Sequence, residues 1–263
     1  MSGVRAFCTT RPSFIVSTHN RLHLARRITV RMSSSDGSHP PTKDPSSAED
    51  SPSSTASAAV DFLSLCHRLK TTKRAGWVRK GIREPESVAD HMYRMGVMAL
   101  VAADIPGVDR DRCLKMAIVH DIAEAIVGDI TPSDNVPKLE KSRREQEALD
   151  HMCKLLGGGS RGKELSELWM EYEENSSPEA KVVKDFDKVE MILQALEYEH
   201  EAGVLKSTLL KDLEMASHLL LVEEPFEQGV NLDEFFQSTA GKFQTDVGKA
   251  WAAEINSRRK RKD

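Results

Sequence analysis

The sequence has 263 residues, enough for one large domain or two small ones, and its 39% hydrophobic and 5% aromatic content is typical of a helical globular protein. No apolar run approaches the roughly 20 residues of a membrane span, so no membrane partner is expected. The four cysteines form no CxxC pair, which argues against a disulfide framework or a thiolate metal site. The net charge is −4, and without the six arginines of residues 1–35 it is about −10 for residues 36–263, which argues against binding a nucleic-acid polymer because phosphate backbones attract clustered positive charge.

The beginning of the chain differs in composition from the rest. Residues 1–35 contain six arginines and no Asp or Glu, which is typical of a transit peptide for a chloroplast or mitochondrion. A disordered tail on a cytoplasmic protein has a similar composition and stays open as the alternative. Residues 36–58 are rich in Ser, Pro and Asp, which predicts a disordered linker.

From residue 59 onward, the apolar periodicity predicts amphipathic helices with short breaks and no alternating strand. The expected helices span 59–70, 87–104, 110–127, 138–156, 161–174, 178–201, 206–222 and 232–256. We therefore expect one all-α domain over 59–256, followed by a solvated basic tail at 257–263.

Three of these helices carry ionisable groups on the faces that should turn inward. On the third helix, Asp121 lies on the apolar stripe, His120 adjoins it, and Glu124 shares their side of the helix. His91 on the second helix and Asp187 on the sixth stand in register with apolar residues. A divalent cation such as Mn, Fe, Co, Ni or Zn would account for two imidazoles and two carboxylates in such places.

A simpler interpretation competes at each position. A single buried histidine is often hydrogen-bonded within the core, and a single aspartate often caps a helix or forms an ion pair. An adjacent His-Asp pair, with a distant His before it and a distant Asp after it, is harder to explain in this way.

The order His91 … His120-Asp121 … Asp187 resembles the H…HD…D signature of the HD-domain metal-dependent phosphohydrolases. The longer strings "RAGWVRKGIREPESVADHMYRM", "HDIAEAIVGDITP" and "DFDKVEMILQALEYE" are similar to the 5′-deoxynucleotidase subgroup. The resemblance implies a single HD-domain helical bundle, usually a homodimer. It also implies a divalent metal, with Mn, Co or Mg favoured, and a deoxyribonucleoside 5′-monophosphate as substrate.

The resemblance also implies roles for particular residues. His91, His120, Asp121 and Asp187 would hold the metal, and Glu124 would be the catalytic residue. Asp129 would bind the deoxyribose hydroxyl, or Glu124, Asp129 and the Ile130 carbonyl would hold a second cation; a simple Asx turn at Asp129 is the structural alternative. Arg74 would contact the phosphate and Trp77 the sugar or base, although the separation of the two residues leaves Trp77 open to a packing role.

Two other classes of function remain possible on the sequence alone. One is another HD-type phosphohydrolase, either a guanosine-tetraphosphate hydrolase or a cyclic-nucleotide phosphodiesterase. The acidic pair that usually follows the HD element in the former is absent here, since Ala125 follows Glu124, and the extra histidine arrangement of the latter is not recognisable. The other class is a non-catalytic, metal-stabilised helical interaction protein, against which Glu124 argues.

Overall fold

The computed structural model describes residues 52–216 and 231–261, with side chains described for 56–203 and 231–261. Ten α-helices fill these ranges: α1 Pro52–Thr71, α2 Ala75–Arg79, α3 Val88–Val101, α4 Arg110–Val119, α5 Glu124–Val127, α6 Lys138–Leu155, α7 Gly159–Glu174, α8 Pro178–Ala216, α9 Asp233–Thr239 and α10 Asp246–Lys260. A 3₁₀ turn at Pro132–Asp134 and one isolated bridge between Lys73 and Ser87 complete the described elements. The prediction of an all-α fold is confirmed.

Helix α8 is the centre of the bundle. It packs against α3, α4, α7, α9 and α10, and α3 lies closely along α4. Gly96 lies where α3 and α4 come close, and a Cβ there would lie 3.3 Å from the Leu114 side chain. The apolar core contains fully buried side chains from α3, α4 and α8, including Met95, Met116 and Phe186.

Several helix boundaries differ from the predicted ones. Helix α1 begins at Pro52, inside the predicted linker, because proline suits the first helical position and the alanines that follow favour a helix. The predicted transit peptide and residues 36–51 of the predicted linker lie outside the described residues. At the other end of the chain, α10 continues to Lys260 and so includes most of the predicted basic tail.

The helices predicted over 110–127 and 232–256 are each divided in two, the first into α4 and α5, and two other predicted helices are joined. The helix predicted over 232–256 breaks at Gly241 (φ 72°), and α10 starts anew because Thr245 caps it and the Asp185 carboxylate accepts from Thr245 N (2.7 Å). The helices predicted at 178–201 and 206–222 run together as α8 through Gly203, while residues 217–222 lie outside the described part of the chain. Among the described helices, none combines the length and the apolar character needed to cross a membrane.

Candidate metal centre and active site

His91 lies in the first turn of α3, where a capping box fixes the start of the helix. Ser87 Oγ accepts from Asp90 N (3.1 Å), and the Asp90 carboxylate accepts from Ser87 N (2.8 Å). The imidazole is fully buried, and its Nδ1 lies 2.6 Å from Glu190 Oε2. A carboxylate in this position favours a proton on Nδ1, which leaves the lone pair of His91 Nε2 free on the other side of the ring.

The chain winds more tightly immediately after α4, and this turn positions His120 and Asp121. Residues 120–123 form a turn instead of the predicted continuous helix, with bonds from i to i−3 such as Glu124 N to Asp121 O (3.0 Å). In such a winding, side chains three residues apart eclipse each other, so Asp121 and Glu124 lie on one side. The Nδ1 of His120 is 2.9 Å from Ala117 O, which turns its Nε2 toward Asp121.

Side chains from three helical segments meet at one point. The ligand atoms of His91, His120 and Asp187 lie within 4.8 Å of one another. The Oδ2 atom of Asp121 lies 3.1 Å from His120 Nε2 and 3.9 Å from His91 Nε2. The structure therefore brings together all four residues that the sequence analysis assigned to a metal.

The donor atoms suit a divalent cation in kind and in spacing. Within the described residues, His91 Nε2 and His120 Nε2 are buried and make no hydrogen bond of normal geometry, although carboxylate oxygens of Asp121 and Asp187 lie 3.1–3.9 Å from them. Two ligands bound at about 2.1 Å to one ion lie about 3 to 4.2 Å apart, close to the separations found here.

Glu124 lies beside this cluster at the start of α5. Its side chain is buried, and its Oε2 has no hydrogen-bond partner among the described residues. Burial, and then the charges of Asp121 and Asp129, raise its pKa well above the usual range of a glutamate. Gly128 (φ 76°) ends the helix after one turn and leads the chain to Asp129.

Asp129 and Ile130 line the cleft that opens from the metal cluster. One carboxylate oxygen of Asp129 accepts the backbone N–H of Ala75 (2.6 Å), so it holds the start of α2 in place. This contact gives Asp129 a structural role that the sequence did not indicate. Its roles toward a sugar hydroxyl or a second cation stay predictions.

Arg74 and Trp77 flank the cleft in different ways. The guanidinium of Arg74 lies 3.6 Å from Asp121 Oδ2 and 3.8 Å from Glu86 Oε1, between the metal cluster and α2. Trp77 is only 1% exposed; its indole N–H donates to Glu86 (2.8 Å), and its ring centroid is 4.3 Å from that of Phe235. The structure therefore gives Trp77 a packing role at the edge of the cleft, and a contact with the sugar or base stays a prediction.

The cleft has a volume of about 600 Å³ and is lined by residues that range in the sequence from Arg74 to Ser238. Several of them were not identified from the sequence, namely Lys141, Glu145, Tyr172, Lys184, Phe235 and Ser238. Tyr172 donates a hydrogen bond to Asp187 Oδ2 (2.9 Å), and Lys184 precedes Asp187 by three residues on α8. Helical spacing from Asp187 was the one signal in the sequence that could have identified Lys184.

The fold and this cleft define an all-helical protein with a candidate metal centre of two imidazoles and two carboxylates. Comparison with family models gives a match to the HD domain over residues 66–211. Because this match covers more than half of the sequence, the chain belongs to the HD domain family, as its motifs predicted.

Relatives and solved structures agree with this assignment. The chain is 48% identical over 184 residues to 5'-deoxynucleotidase HDDC2 of Danio rerio, covering 70% of this chain and 79% of that protein. It is 48% identical over 188 residues to 5'-deoxynucleotidase HDDC2 of Homo sapiens, covering 72% and 79%. The crystal structure of the PH0347 protein from Pyrococcus horikoshii OT3 matches with a TM-score of 0.54 and 33% identity, covering 75% of this chain and 96% of that one. These relatives confirm the predicted 5′-deoxynucleotidase subgroup.

Proposed function

We propose that the protein is a metal-dependent phosphomonoesterase that hydrolyses deoxyribonucleoside 5′-monophosphates to deoxyribonucleosides and phosphate. The observation that carries the proposal is the convergence of two unpartnered, buried imidazole nitrogens and two aspartates beside the free carboxylate oxygen of Glu124. The names of the relatives support the substrate class.

In this proposal His91, His120, Asp121 and Asp187 hold one divalent cation, with Mn, Co or Mg favoured. When bound, such an ion lowers the pKa of a water and polarises a phosphoryl oxygen. The fully buried bond between His91 and Glu190 supports it, because a fixed Nδ1 proton keeps Nε2 available as a ligand.

The remaining steps belong to side chains of the cleft. Glu124 takes a proton from the water that attacks phosphorus and releases it to solvent after turnover; a new P–O bond forms, the bond to O5′ breaks, and the O5′ leaving group takes a proton from solvent water. Arg74 offsets charge on the phosphate from its place next to Asp121. Asp129 contacts the deoxyribose hydroxyl through its second oxygen, or joins Glu124 and the Ile130 carbonyl around a second cation.

The decisive experiment is a panel of ribo- and deoxyribonucleoside monophosphates assayed for phosphate release with Mn²⁺, Co²⁺ or Mg²⁺, before and after chelation. We expect metal-dependent turnover of the deoxyribonucleotides, lost on chelation and restored by added metal. Equal turnover of ribonucleotides would contradict the proposed sugar preference but would still agree with the proposed phosphatase activity.

Other outcomes of the same panel separate the alternatives. Hydrolysis of guanosine tetraphosphate or of cyclic nucleotides, without hydrolysis of monophosphates, would assign the protein to another HD-type phosphohydrolase. Metal binding without turnover of any nucleotide would favour the non-catalytic interaction protein.

We propose a homodimer by resemblance to the family, to be tested by light scattering of the full chain. The arginine-rich composition of residues 1–35 supports import into a chloroplast or mitochondrion, with a cytoplasmic protein as the alternative. Fusion of residues 1–58 to a fluorescent protein would test the targeting role, and an evenly cytoplasmic signal would refute it.

A further inference from the structure

Four cationic side chains line the cleft, and three of them already have carboxylate partners. The partnered pairs are Arg74 with Asp121 and Glu86, Arg79 with Asp134, and Lys141 with Glu145 (3.4 Å). For any of these three, a contact with phosphate means sharing or giving up an existing ion pair. The fourth cation is Lys184.

Lys184 is held in the cleft by an aromatic ring. Its Nζ lies 3.9 Å from the ring centroid of Tyr172, and the described residues place no carboxylate oxygen within 4.0 Å of it. The Tyr172 hydroxyl donates to Asp187 Oδ2 (2.9 Å), so the same tyrosine contacts both the ammonium group and a metal-cluster carboxylate.

The position of Lys184 on α8 brings it next to the reacting centre. It precedes Asp187 by three residues, so the two side chains are neighbours on one face of the helix. Lys184 is only half-buried, and a partly desolvated ammonium group gains most from an anion that replaces lost hydration. Lysine is also a common ligand of phosphate, to which it presents a compact charge with three donors.

We propose that Lys184 binds the phosphate group of the substrate and that the ring of Tyr172 positions its ammonium group. This inference rests on the proposed function and deepens it, because it assigns recognition of the phosphate to a cation that can bind it without breaking an ion pair. Arg74 then has a shared role, tied to Asp121, while Lys184 is free to bind the anion directly.

The test is calorimetric titration of inorganic phosphate into the Mn²⁺-loaded full chain. We expect Lys184→Met to weaken phosphate binding about 10- to 100-fold, the range for loss of a charge-assisted hydrogen bond, and Lys184→Arg to recover part of it. Lys181→Met is the matched control, since Lys181 lies one turn earlier on α8, is exposed and does not line the cleft. It should bind phosphate within about twofold of the wild type.

Two further variants separate binding from positioning. Tyr172→Phe keeps the ring and should retain phosphate affinity, whereas Tyr172→Leu should weaken it. In turnover assays, Lys184→Met should raise KM for a deoxyribonucleotide more than it lowers kcat.

An unchanged phosphate affinity in Lys184→Met would overturn the inference, as would a wild-type protein that binds no phosphate. A parallel loss of Mn²⁺ affinity would also overturn it, because Lys184 would then act through Asp187. The titration needs no turnover, so a protein that hydrolyses no nucleotide but binds phosphate through Lys184 would refute the proposed activity alone.

Discussion

Replacing Glu190 by leucine is expected to weaken metal binding, although Glu190 is not one of the four proposed ligands. Its Oε2 lies 2.6 Å from His91 Nδ1, and its Oε1 accepts from Arg94 Nε (2.8 Å). Both Glu190 and His91 are fully buried, so water cannot replace the lost partner. Without the carboxylate, the imidazole of His91 loses the contact that fixes its proton on Nδ1 and its orientation toward the metal.

The size of the effect follows from this geometry. Loss of an outer carboxylate partner of a metal-binding histidine typically lowers metal affinity about 10- to 100-fold, or about 1.4 to 2.7 kcal/mol. The free energy of unfolding should also fall by about 3 kcal/mol. This is the lower end of the range for breaking a buried ion pair, because Arg94 keeps its contact with Glu197 (2.6 Å). Glu190→Gln keeps one acceptor and should lose less affinity than the leucine variant.

The assay is titration with Co²⁺, followed through the visible absorption of the bound ion. The control is Glu201→Gln, which removes a charge from an exposed position on the same helix and should leave Co²⁺ affinity unchanged. A folded Glu190→Leu protein that binds Co²⁺ as tightly as the wild type, with the same spectrum, would refute the positioning argument.

Three further predictions concern catalysis, pH and packing. Glu124→Gln should lower kcat by at least about 100-fold with little change in Mn²⁺ affinity, measured by phosphate release and calorimetry; unchanged kcat would remove Glu124 from the mechanism. Burial outweighs the attraction of Lys141 and raises the pKa of Glu145 from 4.5 to about 7. The folded state therefore holds this proton more tightly, and its contribution to stability, complete below pH 4.5, is lost as pH rises through 7. In urea unfolding, the free energy of unfolding of Glu145→Gln relative to the wild type should rise by up to about 3 kcal/mol between pH 5 and 8. A stability difference that stays constant over this pH range would contradict the prediction. Gly248→Ala should lower the stability of the protein by about 1–3 kcal/mol in thermal unfolding, because its Cβ would come within 2.5 Å of the buried Asp185 carboxylate. Gly203→Ala is the control, because a Cβ there meets open space and should not lower stability.

The fold class and the candidate metal residues could both be predicted from the apolar periodicity of the helices. Burying an ionisable group on an apolar helix face is costly, so His91, Asp121 and Asp187 stood out against their apolar neighbours. The all-α fold is confirmed, and the structure brings these side chains together. Their role as metal ligands stays a prediction.

The supporting residues could not be predicted because they depend on which helices become neighbours. Helix α8 is covered by other helices on several sides, so its apolar residues do not form one stripe that separates a buried face from an exposed one. Glu190 is fully buried there, yet its partner His91 is 99 residues away in the sequence. Lys184 and Tyr172, similarly, meet only through the packing of α7 on α8.

The relation between Asp121 and Glu124 shows how a local change in winding shapes the site. In a continuous α-helix of about 100° per residue, residues three apart are offset by about 60° around the axis. With the i to i−3 bonds found across 120–126, the rotation is about 120° per residue and the offset disappears. The regular helix predicted over 110–127 is wrong for these residues, although Glu124 lies on the side of Asp121 in both arrangements. Glu124 therefore lines the cleft from the side of Asp121, and Asp129, which follows the end of α5 at Gly128, lines the same cleft.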